Sequence, residues 1–306
     1  MVPTKKMQQK KIYEGLLEML KKELFILPDK KEENAHNTIS ALWHYAAGNP
    51  VSAIRAENLE LPELSSSQIS ILKELVLSRL SGTPLAHLTE RQNFMGLDYI
   101  VPNGHFIPRN ETELLAKTAI DTISKDFVTK ERIFVFDLCT GIGTVALAIA
   151  NYSKNTYVFA SDINESAIDA AKTNAKYFSL DHRVTFFNSN MFDSFESLSL
   201  KNEVNIIVSA PPYISSKKMK NMHIEVANHE PKEAFDAGPF GLSIFLILIS
   251  IAPEYLVIDG YLIMECGLGQ GEFLADRIKA NDRYGSIDKI CDDNGNIRVL
   301  KAKKVA

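Results

Sequence analysis

The sequence predicts an α/β protein with a mostly parallel sheet, preceded by a small helical domain. From Glu131 onward, short apolar, β-prone segments alternate with helical segments, which is typical of a parallel sheet with helices on both faces. Before that, apolar residues recur at helical spacing. Late in the chain, Asn294-Gly295 separates two β-prone segments, which predicts a hairpin. The last strand is therefore expected to be antiparallel.

Amphipathic helices account for the first part of the chain. Their apolar residues recur every three or four positions, and Ser65 with Gln68 three residues later is a helix-start signal. These patterns predict helices over about 9–26, about 37–47 and from Ser65 to Gly82.

Changes of pattern divide the chain into three segments. Short apolar runs at 91–108 are punctuated by Gly and Pro and indicate a hairpin or connector. Asn110–Glu113 then caps a helix that runs to about Ile123. We predict a helical domain at 1–90, a β-hairpin connector at 91–110 and the α/β domain at 111–306.

Seven strands and three further helices are predicted in the α/β domain. Apolar, β-prone runs mark the strands, and longer Ala- and Leu-containing stretches mark the helices. The strands are 133–136, 157–160, 183–187, 204–209, 261–265, 287–291 and 297–301, and the helices are 143–152, 165–178 and 242–252.

Composition and charge narrow the class of protein. The 306 residues are 45% hydrophobic and 24% charged, as in ordinary globular proteins, and the net charge of -4 disfavours nucleic acid as a partner. Residues 1–31 contain eight lysines against four acidic residues. We interpret them as a solvated helix face, with an acidic partner as the alternative.

The cysteines and apolar runs predict a cytoplasmic location. Cys139, Cys266 and Cys291 are odd in number and far apart, which favours a reducing compartment. The longest apolar run, 242–252, is too short to cross a membrane, and the first residues lack the apolar stretch of a signal peptide. The seven histidines have no metal-ligand spacing, so no metal site is expected.

A strand followed by two prolines gives the clearest sign of a ligand site. The buried-strand pattern of 204–209 stops at Ala210-Pro211-Pro212-Tyr213. Proline cannot donate to the strand ladder, so a rigid turn is expected at the carboxyl end of a strand, where open α/β sheets bind ligands. The alternative is a strand terminator with a packing tyrosine.

Two further signals point to a nucleoside. Asp137 to Gly143 forms a glycine-containing loop between a strand and a helix, and Asp162 ends the next strand about twenty positions later. An acidic residue at that spacing typically binds ribose hydroxyls. A simple tight turn and a helix N-cap are the alternatives. The loop lacks the third glycine of a dinucleotide fingerprint, which disfavours NAD and favours a nucleoside with an amino-acid tail.

Together these motifs resemble the HemK/PrmC family of S-adenosylmethionine-dependent methyltransferases, over roughly residues 36 to 303. The resemblance implies a class I, Rossmann-like methyltransferase fold, S-adenosylmethionine as cofactor, and methylation of a glutamine side-chain amide in peptide chain release factors. The motifs that carry it are 82–89, 107–113, 137–143, Asp162, 210–214, 229–231 and 265–270.

The resemblance also implies roles for individual residues. Ala210, Pro211 and Tyr213 occupy the catalytic positions of the family. The residues that it implies bind the cofactor are Asp137, Cys139, Thr140, Gly141, Gly143, Asp162, Ile163, Asn190, Met191 and Ala210. The residues that it implies bind the acceptor are Arg109, Pro211, Pro212, Tyr213, His229 and Glu230.

Three positions depart from the family pattern. Ala210 stands where the family has Asn, Asn110 where it has Pro, and Asn190 where it usually has Asp. The family Asn accepts a hydrogen bond from the acceptor NH₂, and losing one such contact typically lowers the rate by ~10²–10³. Ala210 is either an inactivating replacement or a mark of a natural relative with another acceptor. The joint departures favour the relative.

Three functional hypotheses follow. The leading one is a methyltransferase with an altered acceptor site that acts on a small molecule or peptide. The second is a release-factor glutamine methyltransferase, natural or inactivated at Ala210, and the third is a non-catalytic cofactor-binding protein. A hydroxyl acceptor needs a base; His223, Glu225, His229 and Glu230 are candidates, or else ordinary polar loop residues. No membrane partner is expected, and the oligomeric state is not predicted.

Overall fold

The computed structural model describes residues 5–306; the first four residues of the predicted helical domain lie outside the described residues. The helices are α1 (Lys5–Glu23), α2 (Ala35–Ala46), α3 (Ala53–Ala56), α4 (Ser66–Leu80), α5 (Leu85–Thr89), α6 (Glu113–Asp126), α7 (Thr144–Tyr152), α8 (Glu165–Tyr177), α9 (Ile224–His229), α10 (Ser243–Tyr255) and α11 (Gly271–Lys279). The strands are β1 (Arg91–Phe94), β2 (Leu97–Ile100), β3 (Ile133–Leu138), β4 (Thr156–Asp162), β5 (Val184–Asn188), β6 (Val204–Ser209), β7 (Leu256–Glu265), β8 (Tyr284–Cys291) and β9 (Ile297–Lys304).

The chain forms two compact units that are not continuous in sequence. The helical unit ends at Pro108 but also includes His223–Glu230; the α/β unit contains the rest of the chain from Arg109. The antiparallel hairpin of β1 and β2 therefore groups with the helical unit. So does α9, although the sequence analysis placed it in the α/β segment.

A local apolar core holds the helical unit together. Trp43 is 2% exposed, and its indole N–H donates to the Pro62 carbonyl at 2.8 Å. Leu20, Leu42 and Leu72 from three different helices belong to the same core. The predicted start of α4 is confirmed, because Ser65 forms a capping box with the side chain at the third helical position. The helices of this unit thus pack their apolar faces together, as the spacing of the apolar residues predicted.

A buried ion cluster joins α9 to the rest of the helical unit. The Arg79 guanidinium lies 3.1 Å from a Glu33 carboxylate oxygen and 3.0 Å from a Glu225 carboxylate oxygen, and these side chains are at most 3% exposed. Lys30 lies 3.5 Å from Glu33. Breaking such a buried pair typically destabilises a protein by ~3–5 kcal/mol. The cluster therefore fixes α9 within the helical unit.

The α/β unit contains a seven-stranded sheet. Its strand order is β5-β4-β3-β6-β7-β9-β8, and the first five of these strands are parallel. The mostly parallel α/β fold with an antiparallel last strand is confirmed. However, β9 does not lie at the edge of the sheet: it pairs antiparallel with both β7 and β8, so the hairpin places β8 outermost.

Helices and strands differ from the predicted bounds mainly at their ends. β6 has the predicted bounds, whereas β7 begins five residues earlier than predicted and α10 continues through Pro253. α11 was not predicted, although Leu274 and Ile278 are buried at helical spacing. Its nine residues contain only a short apolar pattern, which is weak evidence for a helix.

The apolar stretch of 242–252 forms most of α10, which is 13 residues long. Among residues 5–306, no helix has the length and apolar character needed to cross a membrane.

Candidate active site

The three predicted ligand motifs meet at one edge of the sheet. β3 lies between β4 and β6, and Leu138 is in register with Ser161 on one side and Ser209 on the other. These residues are at the carboxyl ends of parallel strands. The glycine-containing loop, Asp162 and the Pro-Pro-Tyr turn therefore follow neighbouring strand ends, where an open α/β sheet binds its ligand.

Asp137 is a buried carboxylate with one unused oxygen. Its Oδ2 accepts hydrogen bonds from the Thr140 hydroxyl at 2.5 Å and the Ala146 amide at 3.0 Å. Its Oδ1 is buried and has no hydrogen-bond partner among the described residues. Burial raises the pKa of Asp137 to about 7, against the opposing effect of the two hydrogen bonds. A cationic donor at Oδ1 would satisfy this carboxylate.

Two glycines shape the loop after Asp137. Gly143 has φ +85°, and a Cβ there would come within 3.1 to 3.2 Å of Ala171, Leu147 and Phe186. Gly141 has φ +56°, and a Cβ there would meet nothing within 4 Å. Position 143 thus needs glycine for close packing, whereas a side chain at position 141 would enter open space.

Asp162 supports the same loop from the next strand. Its Oδ2 accepts the Gly141 amide at 2.8 Å, and its Oδ1 accepts the Asn164 amide at 2.9 Å. Burial raises its pKa, and these backbone N–H groups oppose the rise. The N-cap alternative is wrong, because Asn164 caps α8 through the Ala167 amide. Each carboxylate oxygen can accept a second hydrogen bond.

The segment after β5 approaches the glycine-containing loop. The Ser161 hydroxyl donates to the Met191 carbonyl at 2.9 Å, and the Met191 and Cys139 sulfur atoms are 3.8 Å apart. Both residues have left-handed backbones, with φ 49° and 62°. Asn190 is exposed, and Ile163 is 70% exposed. An apolar side chain so exposed beside Asp162 is available to a flat apolar group.

The Pro-Pro-Tyr turn is fixed by hydrogen bonds on both sides. The Ser209 hydroxyl donates to the Leu138 carbonyl at 2.7 Å, which ties the end of β6 to β3. Beyond the turn, the Gln270 amide nitrogen donates to the carbonyls of Tyr213 at 3.1 Å and Gly241 at 3.2 Å. The turn therefore presents Ala210 and Tyr213 on a rigid backbone, and Ala210 has no polar side-chain atom.

The Tyr213 ring lies beside a buried ion pair. The Arg298 guanidinium is over the ring at 5.9 Å from its centroid, and Arg298 pairs with Glu265 at 3.5 Å. Burial raises the pKa of Tyr213 to about 12; Glu265 adds to the rise and Arg298 opposes it. The phenol therefore stays protonated at neutral pH. No role was assigned to either charged residue from the sequence, although Arg298 stands among apolar residues of β9, where a charge indicates a buried pair.

Three predicted acceptor-binding residues, Arg109, His229 and Glu230, do not belong to the loops that follow the strand ends. Glu230 and His229 belong to the helical unit, where Glu230 accepts the Ile107 amide at 2.9 Å and the His229 ring contacts the Glu225 carbonyl at 3.0 Å. Arg109 is the first residue of the α/β unit and precedes a 3-10 turn. For Glu225, the ion pair with Arg79 favours a structural role over that of a base.

The residues at the strand ends fit S-adenosylmethionine. A buried carboxylate oxygen without a partner suits an ammonium group, and a carboxylate with spare acceptor capacity suits a ribose diol. Open space beside Gly141 allows a ligand to approach the backbone. Fold and site together define an S-adenosylmethionine-dependent methyltransferase.

Comparisons with known proteins give the family. Residues 110–234 match the methyltransferase small domain family. The release factor glutamine methyltransferase of Coxiella burnetii is 35% identical over 82% of this chain and 86% of its own, and that of Bacillus anthracis is 28% identical over 91% and 95%. A solved S-adenosylmethionine-dependent methyltransferase from Agrobacterium tumefaciens, 12% identical, aligns over 71% of this chain and 70% of its own with a TM-score of 0.47. The chain belongs to the release factor glutamine methyltransferase (HemK/PrmC) family.

Proposed function

We propose that this methyltransferase has an altered acceptor site and methylates an acceptor other than a release-factor glutamine, namely a small molecule or a peptide. The observation that carries the proposal is Ala210, which follows β6 directly and whose side chain has no atom to accept an acceptor's N–H. The cofactor loop beside it keeps its polar contacts. The proposed change therefore concerns the acceptor and leaves cofactor binding in place.

We assign the cofactor as follows. Asp137 binds the amino group of the methionine part, Asp162 binds the ribose, and Ile163 with Met191 covers the adenine. The Asp137 oxygen without a partner, the geometry of Asp162 and the exposure of Ile163 support these roles. Backbone or side-chain contacts come from Cys139, Thr140, Gly141, Gly143, Asn190 and Ala210.

Positioning supplies most of the proposed catalysis. When bound, S-adenosylmethionine supplies a methyl group on a sulfonium, and an in-line displacement needs the acceptor held close and aligned. Tyr213 forms a wall for a planar acceptor, and the Pro211 carbonyl accepts a hydrogen bond from it. Tyr213 does not take the proton, because its pKa lies at about 12. The proton leaves to water or to another base, as the acceptor requires.

A second candidate is methylation of release-factor glutamine by a chain weakened at Ala210. The relatives that carry this activity in their names align over 82% and 91% of the chain, which includes part of the helical unit. Without the family's Asn, such an activity would be slower by ~10²–10³. Arg109, Pro212, His229 and Glu230 stay proposed acceptor contacts under either candidate, and a cytoplasmic location stays part of the proposal.

Ala210→Asn separates the two candidates. Transfer of a labelled methyl group is measured to purified release factor and to a fraction of small metabolites and peptides. With a different native acceptor, the unpaired amide should slow the native reaction by about tenfold or more, and release factor should stay unmethylated. A rise of ~10²–10³ in release-factor methylation would instead establish the second candidate.

A control variant tests whether an alanine-to-asparagine substitution away from the site affects either reaction. Ala280 is exposed at the end of α11, so Ala280→Asn should change neither reaction. Calorimetry should give Ala280→Asn the parent's affinity for S-adenosylmethionine and show that Ala210→Asn still binds the cofactor. Cofactor binding without methyl transfer to any fraction would favour the non-catalytic alternative.

A further inference from the structure

We propose that Arg298 is a positioning residue for methyl transfer: with Glu265 as its counter-ion, it fixes the Tyr213 ring and leaves one ring face to the acceptor. The inference rests on the proposed function only in taking Tyr213 as the acceptor wall. All three residues lie in the α/β unit.

The cation is held by the sheet itself. Arg298 is the second residue of β9, and its backbone carbonyl accepts the Cys266 amide at 2.8 Å, directly beyond the end of β7. Its side chain is 8% exposed and that of Glu265, the last residue of β7, is 3% exposed. Burial raises the pKa of Glu265, and Thr112 and Arg298 oppose the rise. Removal of either charge would leave the other buried without its partner.

Two glycines approach the tyrosine closely, one at an edge carbon of the ring and one at the backbone carbonyl. A Cβ on Gly267 would lie 2.9 Å from the Tyr213 ring, and a Cβ on Gly241 would lie 2.7 Å from the Tyr213 carbonyl. Gln270 connects these segments, since it accepts the Gly267 amide at 2.8 Å and donates to the Tyr213 and Gly241 carbonyls. The backbone of Tyr213 is thus fixed by Gln270, which leaves the ring orientation to Arg298.

A guanidinium over one face of a tyrosine attracts that face and excludes other groups from it. The acceptor plane is then restricted to the opposite face. An error of about 1 Å in acceptor placement lowers the rate of such a displacement by about 10²-fold. We therefore expect Arg298 to affect methyl transfer rather than cofactor binding.

The first test compares Arg298→Met with a matched control on the same strand. Lys301 also lies over a tyrosine ring, that of Tyr261 at 5.1 Å, and pairs with Asp288 at 2.9 Å. Arg298→Met should lower kcat by about 10²-fold with an acceptor that the parent methylates, and change the cofactor Kd less than about twofold. Lys301→Met should change neither. Unchanged kcat in Arg298→Met would overturn the proposal.

Two further variants separate positioning from folding. Arg298→Lys keeps the charge for Glu265 but not the planar group, so it should fold normally and recover only part of kcat. If Arg298→Met does not fold, the double variant Glu265→Gln with Arg298→Met removes the uncompensated charge. It should fold and show the same loss of kcat. Full kcat in Arg298→Lys or in the double variant would refute a positioning role.

A spectroscopic test does not depend on any acceptor. The protein is labelled with 3-fluorotyrosine, and the Tyr213 signal in the fluorine NMR spectrum is assigned by its loss in Tyr213→Phe. Arg298→Met should shift and broaden that signal, whereas Lys301→Met should shift only the Tyr261 signal. If the parent methylates no acceptor, the proposed function fails while this test still decides whether Arg298 fixes the ring. An unchanged Tyr213 signal would disprove the inference.

Discussion

Asp137→Asn is expected to make the cofactor-free protein more stable and its cofactor binding weaker. The substitution preserves shape, and the amide oxygen can keep the hydrogen bonds from Thr140 and Ala146. The amide nitrogen then takes the place of the oxygen that has no partner. The variant thus removes a buried charge and little else.

The magnitude follows from the pKa of Asp137. A rise from 3.8 to about 7 corresponds to a penalty of ~4 kcal/mol on the ionised form above pH 7. A buried amide without an acceptor costs ~1–3 kcal/mol. The free energy of unfolding should therefore rise by ~1–3 kcal/mol at pH 8.

The sign of the pH dependence provides a second measurement. Because the folded-state pKa is above the unfolded value of 3.8, the folded protein binds the proton more tightly. This contribution to stability is complete below about pH 4 and is lost as pH rises to about 7. Denaturant unfolding across this range should show the loss in the parent and not in Asp137→Asn.

The affinity for the cofactor should fall, although the free energy of unfolding rises. Loss of a charge-assisted hydrogen bond should weaken S-adenosylmethionine binding by ~10- to 100-fold in calorimetry. Asp181 is exposed, so Asp181→Asn should change neither stability nor affinity and serves as the control. The reasoning would be refuted if Asp137→Asn lost stability and kept the parent's affinity.

The other predictions concern the loop, the ribose site and the ion cluster. Asp162→Ala should weaken cofactor binding by ~1.5–3 kcal/mol in calorimetry, and unchanged affinity would contradict its proposed role. Gly143→Ala should lower the free energy of unfolding by ~1–3 kcal/mol, because φ +85° and contacts of 3.1 Å both oppose a Cβ. Arg79→Met should lower it by ~3–5 kcal/mol, since Glu33 and Glu225 stay buried; denaturation within ~1 kcal/mol of the parent would show that the cluster contributes little.

Local patterns predicted most of the fold. β6 has its predicted bounds because a run of apolar residues ends at two prolines, and α4 starts where Ser65 and Gln68 indicated. The Asn294-Gly295 hairpin predicted the antiparallel strand but not its place, because pairing of β9 with β7 is a long-range contact. Such contacts leave no periodic signal in the sequence.

The grouping of three proposed site residues was predictable because they follow strand ends. Asp137, Asp162 and Ala210 come together because β4, β3 and β6 are parallel neighbours. The environment of Tyr213 was not predictable, since Arg298 reaches it from a strand that is 85 positions later in the sequence. The place of α9 also depends on partners far away, Glu33 and Arg79.

The discontinuity of the helical unit has a consequence for synthesis of the chain. As the chain leaves the ribosome, α1 to α5 and the hairpin emerge long before α9 is translated. Until then Arg79 lacks the Glu225 carboxylate and Phe25 lacks the His223 ring that stacks on it at 4.7 Å.

The helical unit therefore completes its buried ion cluster only after most of the parallel sheet has been made, so the two units do not fold strictly one after the other. For the same reason residues 1–108 do not contain the whole helical unit and cannot be exchanged alone for those of a relative. A chimera that exchanges this segment between relatives must also exchange 223–230, and an exchange without it should leave the nascent chain prone to degradation.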